Sequence, residues 1–184
     1  AGMDARAYRK FAASASDSPD TSSIKLDELK VFEVDQPTNF YVKEPLLEPH
    51  EDKLTVASRT AVGYDFALQG KDGWPQALID KGFDKNVPTV WLLEGLLYYL
   101  SDDDVDTVMK HVGALSAEKS AVFHDAITDD YRHVGIAPGG APFISGSDDY
   151  LALWKSNAAF DKGFVRNFEY LDVDRKNRCL KFAG

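Results

Sequence analysis

The 184 residues are 44% hydrophobic and 28% charged, enough to enclose one substantial core. The formal net charge of −9 argues against general binding to nucleic acid or to anionic membranes, which need a basic surface to release counterions. The single cysteine, Cys179, excludes an internal disulfide and a cysteine-based zinc site, and suits a reducing compartment such as the cytoplasm or an organelle interior.

In chain order, AGMDARAYR (Ala1 to Arg9) reads as the loop that follows a strand, although no strand precedes it in the sequence. Ala13 to Ser23 is small, polar and broken by proline, which marks an inserted surface loop. Lys30 to Asp35 is a short apolar run ending in acids, a buried strand by pattern. Pro37 suits a first helical turn, and Pro45 and Pro49 limit that helix. Thr60 to Tyr64 is a second strand candidate, followed at once by Asp65 and Phe66. Trp74 to Lys81 has helical spacing, with Gly82 as its stop.

Thr89 to Leu93 is continuously apolar, the pattern of a strand buried on both faces of a parallel sheet. Ser101 followed by three aspartates predicts a helix start, and Val105, Val108, Met109, Val112 and Leu115 continue it at spacings of three and four. Ser120 to His124 is the next strand, ending at Asp125. Gly135 to Gly146 is a glycine- and proline-bearing loop and a candidate lid. Asp148 to Phe160 is helical by pattern, and Val165 to Val173 with Arg178 to Phe182 forms a closing hairpin. Met109 and Trp154 belong to the core. The apolar stretch Val87 to Leu100 is too short to span a bilayer. No targeting segment is visible, and the four histidines show no metal-ligand spacing.

Strands alternating with helices predict an α/β architecture, a mostly parallel sheet with an antiparallel edge. Apolar strands end one after another on acids: Glu33 and Asp35, Asp65, Glu94, Asp125. Ligands of open α/β sheets bind beyond the carboxyl ends of the strands, so these acids are expected to line one rim. A ligand with ribose hydroxyls, an amino group and a cationic centre would suit it. Acids also follow strands simply as turn residues or helix caps, so each is weak alone. Gly2 would let backbone approach such a ligand closely.

Four segments resemble, in order, motifs of the S-adenosylmethionine-dependent methyltransferases related to leucine carboxyl methyltransferase. AGMDARAYR resembles the family's GAGxDTRxYR loop, and VFEVDQP its vFEvDqP segment. GYDF with GWPQALIDKGFD is similar to VDLRxDW…L…GFD, and WLLEGLLYYL to W-x-x-EGLLxYL. The likeness covers roughly Ala1 to Ser120 and thins beyond it. It departs at Ala5, where the family has Thr, and at Phe66-Ala67, where the family has Leu-Arg. The first glycine of GAG and the arginine upstream of it have no counterpart. The spacing from Gly2 to Asp35 exceeds the roughly 20 residues of the dinucleotide pattern, mostly through the Ala13–Ser23 loop.

The resemblance implies a single Rossmann-like class I methyltransferase domain that takes S-adenosyl-L-methionine. It places Gly2 at the methionine part, Asp35 and Glu33 at the ribose, and Asp65 and Phe66 at the adenine. Glu94 falls near the methionyl amino end or the substrate. Arg6, Arg9 and Tyr98 are secondary candidates, with ion pairing and core packing as the competing roles. The expected activity is methyl transfer to a carboxylate or hydroxyl oxygen, the acceptor being a small molecule or a protein C-terminal carboxylate. A hydroxyl acceptor would need a base, for which His124 or His133 are candidates and a structural role for His124 is the competing reading.

The strand implied ahead of Gly2 is central in such a sheet. Without it the sheet is expected to divide into two groups with unpaired inner edges, completed by an upstream segment or a partner chain. The alternative function is an inactive subunit that keeps the fold.

Overall fold

A computed structural model describes residues 2–8, 26–65, 73–134, 140–158, 160, 162–163, 172–173 and 180–181. Strands and helices alternate: β1 (Lys30–Asp35), α1 (Pro37–Leu47), β2 (Ser58–Gly63), α2 (Trp74–Asp80), β3 (Val90–Leu93), α3 (Asp102–Ala114) and β4 (Ala121–His124). They are followed by α4 (Asp129–Val134), α5 (Tyr150–Ala158) and the short β5 (Asp172–Val173) and β6 (Leu180–Lys181). This is a mixed α/β chain with parallel strands. The Ala13–Ser23 loop, Phe66, Arg9 and the first part of the Gly135–Gly146 loop lie outside the described residues.

Local chemistry explains most of these boundaries. Pro37 opens α1, where its missing N–H costs no helical bond. The helix passes through Pro45 and ends at Leu47, and Pro49 then sits in a 3₁₀ turn, Glu48–Lys53. Gly82, at φ +92°, stops the chain after α2 and donates its N–H to the Ile79 carbonyl at 2.8 Å. Ser101 caps α3, its hydroxyl accepting the Asp104 N–H at 3.2 Å, and three aspartates face the positive end of the helix dipole.

Among the described residues the strands form separate pairs. β1 and β2 are parallel, with Asp35 opposite Gly63; β3 and β4 are parallel, with Leu93 opposite His124. β5 and β6 form an antiparallel pair of their own, joined to neither of the others. The antiparallel pair of the expected hairpin is therefore present, and among the described residues it is not joined to the parallel pairs.

The core lies where α3 and α5 cross over one face of β3–β4 and where α2 meets the β1–β2 pair. Met109, Val112 and Leu97 are fully enclosed, and Trp154, Trp74 and Leu78 lie among them. Each such side chain contributes about 1.5–3 kcal/mol when fully buried. Phe83 joins the two strand pairs on this side, its ring centroid 5.6 Å from Phe32 and 5.5 Å from Trp91. α3 and α5 approach closely at Gly113, where a Cβ would fall 2.8 Å from the Ala158 Cα.

The expectation that the Thr89–Leu93 strand is buried on both faces is corrected. Trp91 and Leu93 turn to the core, but Val90 is 61% and Leu92 51% exposed. Among the described residues the helices cover one face of β3–β4, so alternate side chains of an apolar run remain open. The apolar composition of the run carried no information about which face would be covered. Two further elements were not expected, α4 and the 3₁₀ turn at Glu48–Lys53.

Candidate functional site

Parallel pairing brings the strand ends together. Because Asp35 lies opposite Gly63 and Leu93 opposite His124, each pair ends level; Asp35 closes β1, Asp65 stands two residues past β2, and Glu94 and Asp125 come directly after β3 and β4. The Tyr64 N–H donates to the Asp35 carbonyl at 2.7 Å, which extends the ladder to the residue before Asp65. Asp65 is half-buried there.

The segment from Gly2 to Arg6 crosses from one strand pair to the other. The Gly2 N–H donates to Asp35 Oδ2. The Arg6 guanidinium donates to Glu94 Oε2 at 2.5 Å and pairs with Asp4 Oδ2 at 3.2 Å. Four residue steps of backbone span at most about 14 Å, so Asp35 and Glu94 are both tied to one short segment. Gly2 has φ +47°, the left-handed region that glycine enters without steric cost, and no atom lies within 4 Å of where its Cβ would be.

Asp35 is tightly organised. Its Oδ1 accepts the Gln36 N–H and the Asn39 side-chain amide, each at 2.7 Å. Burial pushes its pKa upward, but the donors Gly2, Asn39 and Gln36 outweigh this and hold the carboxyl below its ordinary value. Its place at the α1 N-terminus also favours the charged form. Asn39 was not singled out from the sequence. The available signal was its position in the first turn of a helix opened by Pro37, where a short amide side chain reaches back over the N-terminus.

Glu33 is not brought to this rim. It precedes Asp35 by two residues on the same face of β1, about 7 Å back along the strand. There its Oε2 accepts from Lys43 Nζ and from the Arg59 guanidinium, both at 2.7 Å, and Arg59 also pairs with Glu44 at 2.8 Å. Lys43 is 1% exposed. Burial would raise the Glu33 pKa, yet Arg59 and Lys43 keep it below the usual range.

At the end of β4, Asp125 accepts the Gly95 N–H at 2.9 Å and the Tyr98 hydroxyl at 3.2 Å. Burial and the neighbouring Asp125 push the Tyr98 phenol up to about 12. Tyr98 and Tyr99 pack on Phe143, with centroids 5.1 Å and 6.0 Å away. The described part of the Gly135–Gly146 loop is pinned beside them, Ile144 N–H to the Tyr98 carbonyl at 2.7 Å and the Ser145 hydroxyl to the Leu97 carbonyl at 2.8 Å.

His124 turns away under α5, between Tyr150 (5.0 Å) and Trp154 (5.8 Å), and burial lowers its pKa, which favours the neutral ring. His133 is exposed on α4, beside Arg132 at 3.4 Å.

A family profile described as leucine carboxyl methyltransferase matches residues 1–113. The chain belongs to the leucine carboxyl methyltransferase family. Similar curated proteins carry names that assign them provisionally as S-adenosyl-L-methionine-dependent methyltransferases. One from Mycobacterium bovis (strain BCG / Pasteur 1173P2) and one from Mycobacterium tuberculosis (strain ATCC 25177 / H37Ra) are each 40% identical over 128 residues, 70% of this chain and 35% of theirs. One from Mycobacterium ulcerans (strain Agy99) is 37% identical over 128 residues, 70% of this chain and 36% of its own. The match thus spans about a third of the length of these relatives. In this leucine carboxyl methyltransferase family member, the matched segment includes the Gly2–Arg6 stretch and the Asp35 and Glu94 carboxylates that it meets. No helix among the described residues is long and apolar enough to cross a membrane.

Proposed function

We propose that this chain forms the cofactor-binding part of an S-adenosyl-L-methionine-dependent methyltransferase acting on a carboxylate or hydroxyl oxygen, folded as one Rossmann-like domain. The observation that carries the reading is the Gly2–Arg6 crossing, which ties Asp35 and Glu94 to one loop at the carboxyl ends of both parallel pairs. The donor set fits the cofactor. Carboxylates accept from ribose hydroxyls and amino groups, and an acidic rim favours a ligand with an ammonium and a sulfonium.

In this reading Gly2 lies along the methionine part, Asp35 accepts from the ribose, and Asp65 and Phe66 border the adenine. Glu94 faces the amino end of the cofactor or the acceptor. Glu33 acts from beneath, through the ion pairs that fix α1 and β2 against β1. The cofactor supplies a methyl group on a positively charged sulfur, open to in-line attack by the acceptor oxygen. The protein contributes proximity and orientation. A carboxylate acceptor is already ionised at neutral pH and needs no base. A hydroxyl acceptor needs one, and the packing of His124 between Tyr150 and Trp154 gives it no support in that role. The acceptor is a small molecule or a protein C-terminal carboxylate. The inactive-subunit alternative is not favoured by any of these contacts.

Calorimetry of the full-length protein with S-adenosyl-L-methionine and S-adenosylhomocysteine tests the reading. Binding is expected, with Asp35→Asn weakening it by about tenfold through loss of a charge-assisted acceptor. Absence of binding heat, or affinity unchanged in Asp35→Asn and Asp35→Ala, would reject it.

A further inference from the structure

We infer that Asp125 is a positioning residue that holds the Glu94 side of the cofactor rim in place and, through Glu94 and Arg6, the Gly2–Tyr8 segment; the inference rests on the cofactor reading of that rim. In the β3–β4 ladder Leu93 pairs with His124, so Asp125 stands beside Glu94, and its N–H donates to the Leu93 carbonyl at 3.3 Å. Its two carboxylate oxygens share the Gly95 N–H at 2.9 and 3.1 Å, and Oδ2 also accepts the Tyr98 hydroxyl at 3.2 Å. One carboxylate thus grips both ends of the Gly95–Tyr98 turn.

The grip acts where the backbone reverses. Gly95 has φ +64°, a conformation that an L side chain rarely adopts, and the turn it makes carries Glu94 outward to Arg6. Arg6 is in turn braced by Asp4, through its own N–H at 2.9 Å and its Nε at 3.2 Å. A continuous path of polar contacts therefore runs from Tyr98 and Asp125 on one strand pair to the segment whose Gly2 N–H meets Asp35 on the other. Hydrogen bonds to an ionised acceptor are roughly twice as strong as neutral ones, which suits Asp125 as the anchor of that path. The Tyr98 phenol, pushed up to about 12, remains a donor at neutral pH. Asp125 needs no contact with the cofactor to do this.

Asp125→Asn keeps the shape but replaces one acceptor oxygen with a donor that opposes Gly95 N–H or Tyr98 O–H. In the full-length protein, hydrogen–deuterium exchange should accelerate in peptides covering 2–8 and 94–98, and the Kd for S-adenosylhomocysteine should rise about tenfold. Tyr98→Phe should do the same more weakly, about twofold to fourfold, and Asp125→Glu should recover part of the loss. As a control, Ser116→Ala removes the acceptor of the Trp91 indole N–H at 2.9 Å, remote from the rim, and should lower thermal stability while leaving both readouts unchanged.

Exchange over 2–8 and affinity both within twofold of wild type in Asp125→Asn and Tyr98→Phe would overturn the inference. So would weaker binding with unchanged exchange, which would make Asp125 a direct ligand. If the wild-type protein binds no S-adenosylhomocysteine, the cofactor reading fails by itself, and exchange over 2–8 still decides whether Asp125 positions the segment.

Discussion

The two parallel pairs are built on different physics. β1–β2 is fastened to α1 by buried charge, with Lys43 and Arg59 converging on Glu33 and Arg59 reaching Glu44. β3–β4 is fastened to α3 and α5 by apolar and aromatic packing around Met109, Val112, Tyr150 and Trp154. A buried ion pair adds little net stability over an apolar equivalent, but it tolerates only one arrangement of its partners. An apolar core contributes more and specifies less. The pair that carries Asp35 is thus the one joined to its helix through charge.

The largest expected effect comes from breaking the ionic side. Glu33→Gln leaves the Lys43 ammonium buried without a carboxylate, which should cost about 3–5 kcal/mol in chemical denaturation. Adding Lys43→Met should restore part of that stability, because both charges are then gone. A double variant no more stable than the single would show that the network is not what holds β1 to α1.

The apolar side is broken by volume rather than by charge. Gly113→Ala forces a methyl group to within 3 Å of Ala158 on the facing helix, backbone atoms included. It should cost about 1–3 kcal/mol, read as a lowered melting temperature with the cofactor affinity per folded molecule unchanged. A neutral result would mean that α3 and α5 separate freely.

Acid separates the two regions by pH window. Burial depresses the pKa of His124, so the fold favours its neutral form. That contribution is complete above the ordinary value of 6.5 and is lost as pH falls through the lower folded value. Glu33 is also depressed, so its contribution holds above 4.5 and fades only as pH falls below that. Stability should therefore decline in two steps, with His124→Phe removing the first and Glu33→Gln shrinking the second, in which Asp35, also held low, takes part. A first step unchanged in His124→Phe, or a second unchanged in Glu33→Gln, contradicts the assignment.

The smallest effect belongs to a cap. Ser101→Ala removes the acceptor for the Asp104 N–H and should cost about 1 kcal/mol, since the three aspartates still oppose the dipole. A loss several times larger would mean that the start of α3 supports the neighbouring Leu97–Tyr99 turn as well.

Much of the architecture was legible because its causes are local. Lys30–Asp35, the proline-opened α1, the glycine stop after α2 and the Ser101 cap each follow from neighbours in the chain. The family was legible because four motifs keep their order. Burial of Met109 and Trp154 followed from helical spacing. What the residues beside each strand end would face was not legible. Glu33 and Asp35 look alike in VFEVD, yet one carboxylate meets Lys43 and Arg59 and the other meets Gly2 and Asn39. Asp125 looked like one more terminal acid, and its grip on Gly95 and Tyr98 depends on a ladder register that no local pattern encodes. The open face at Val90 and Leu92 was hidden for the same reason.

The sequence by itself determined the kind of chain, the order of its strands and helices, and the set of acids that end its strands, because hydrophobic period and turn chemistry act over a few residues. Tertiary structure alone decided which partner each of those acids meets. Partners such as Arg6 for Glu94, or Lys43 for Glu33, meet only when distant segments pack.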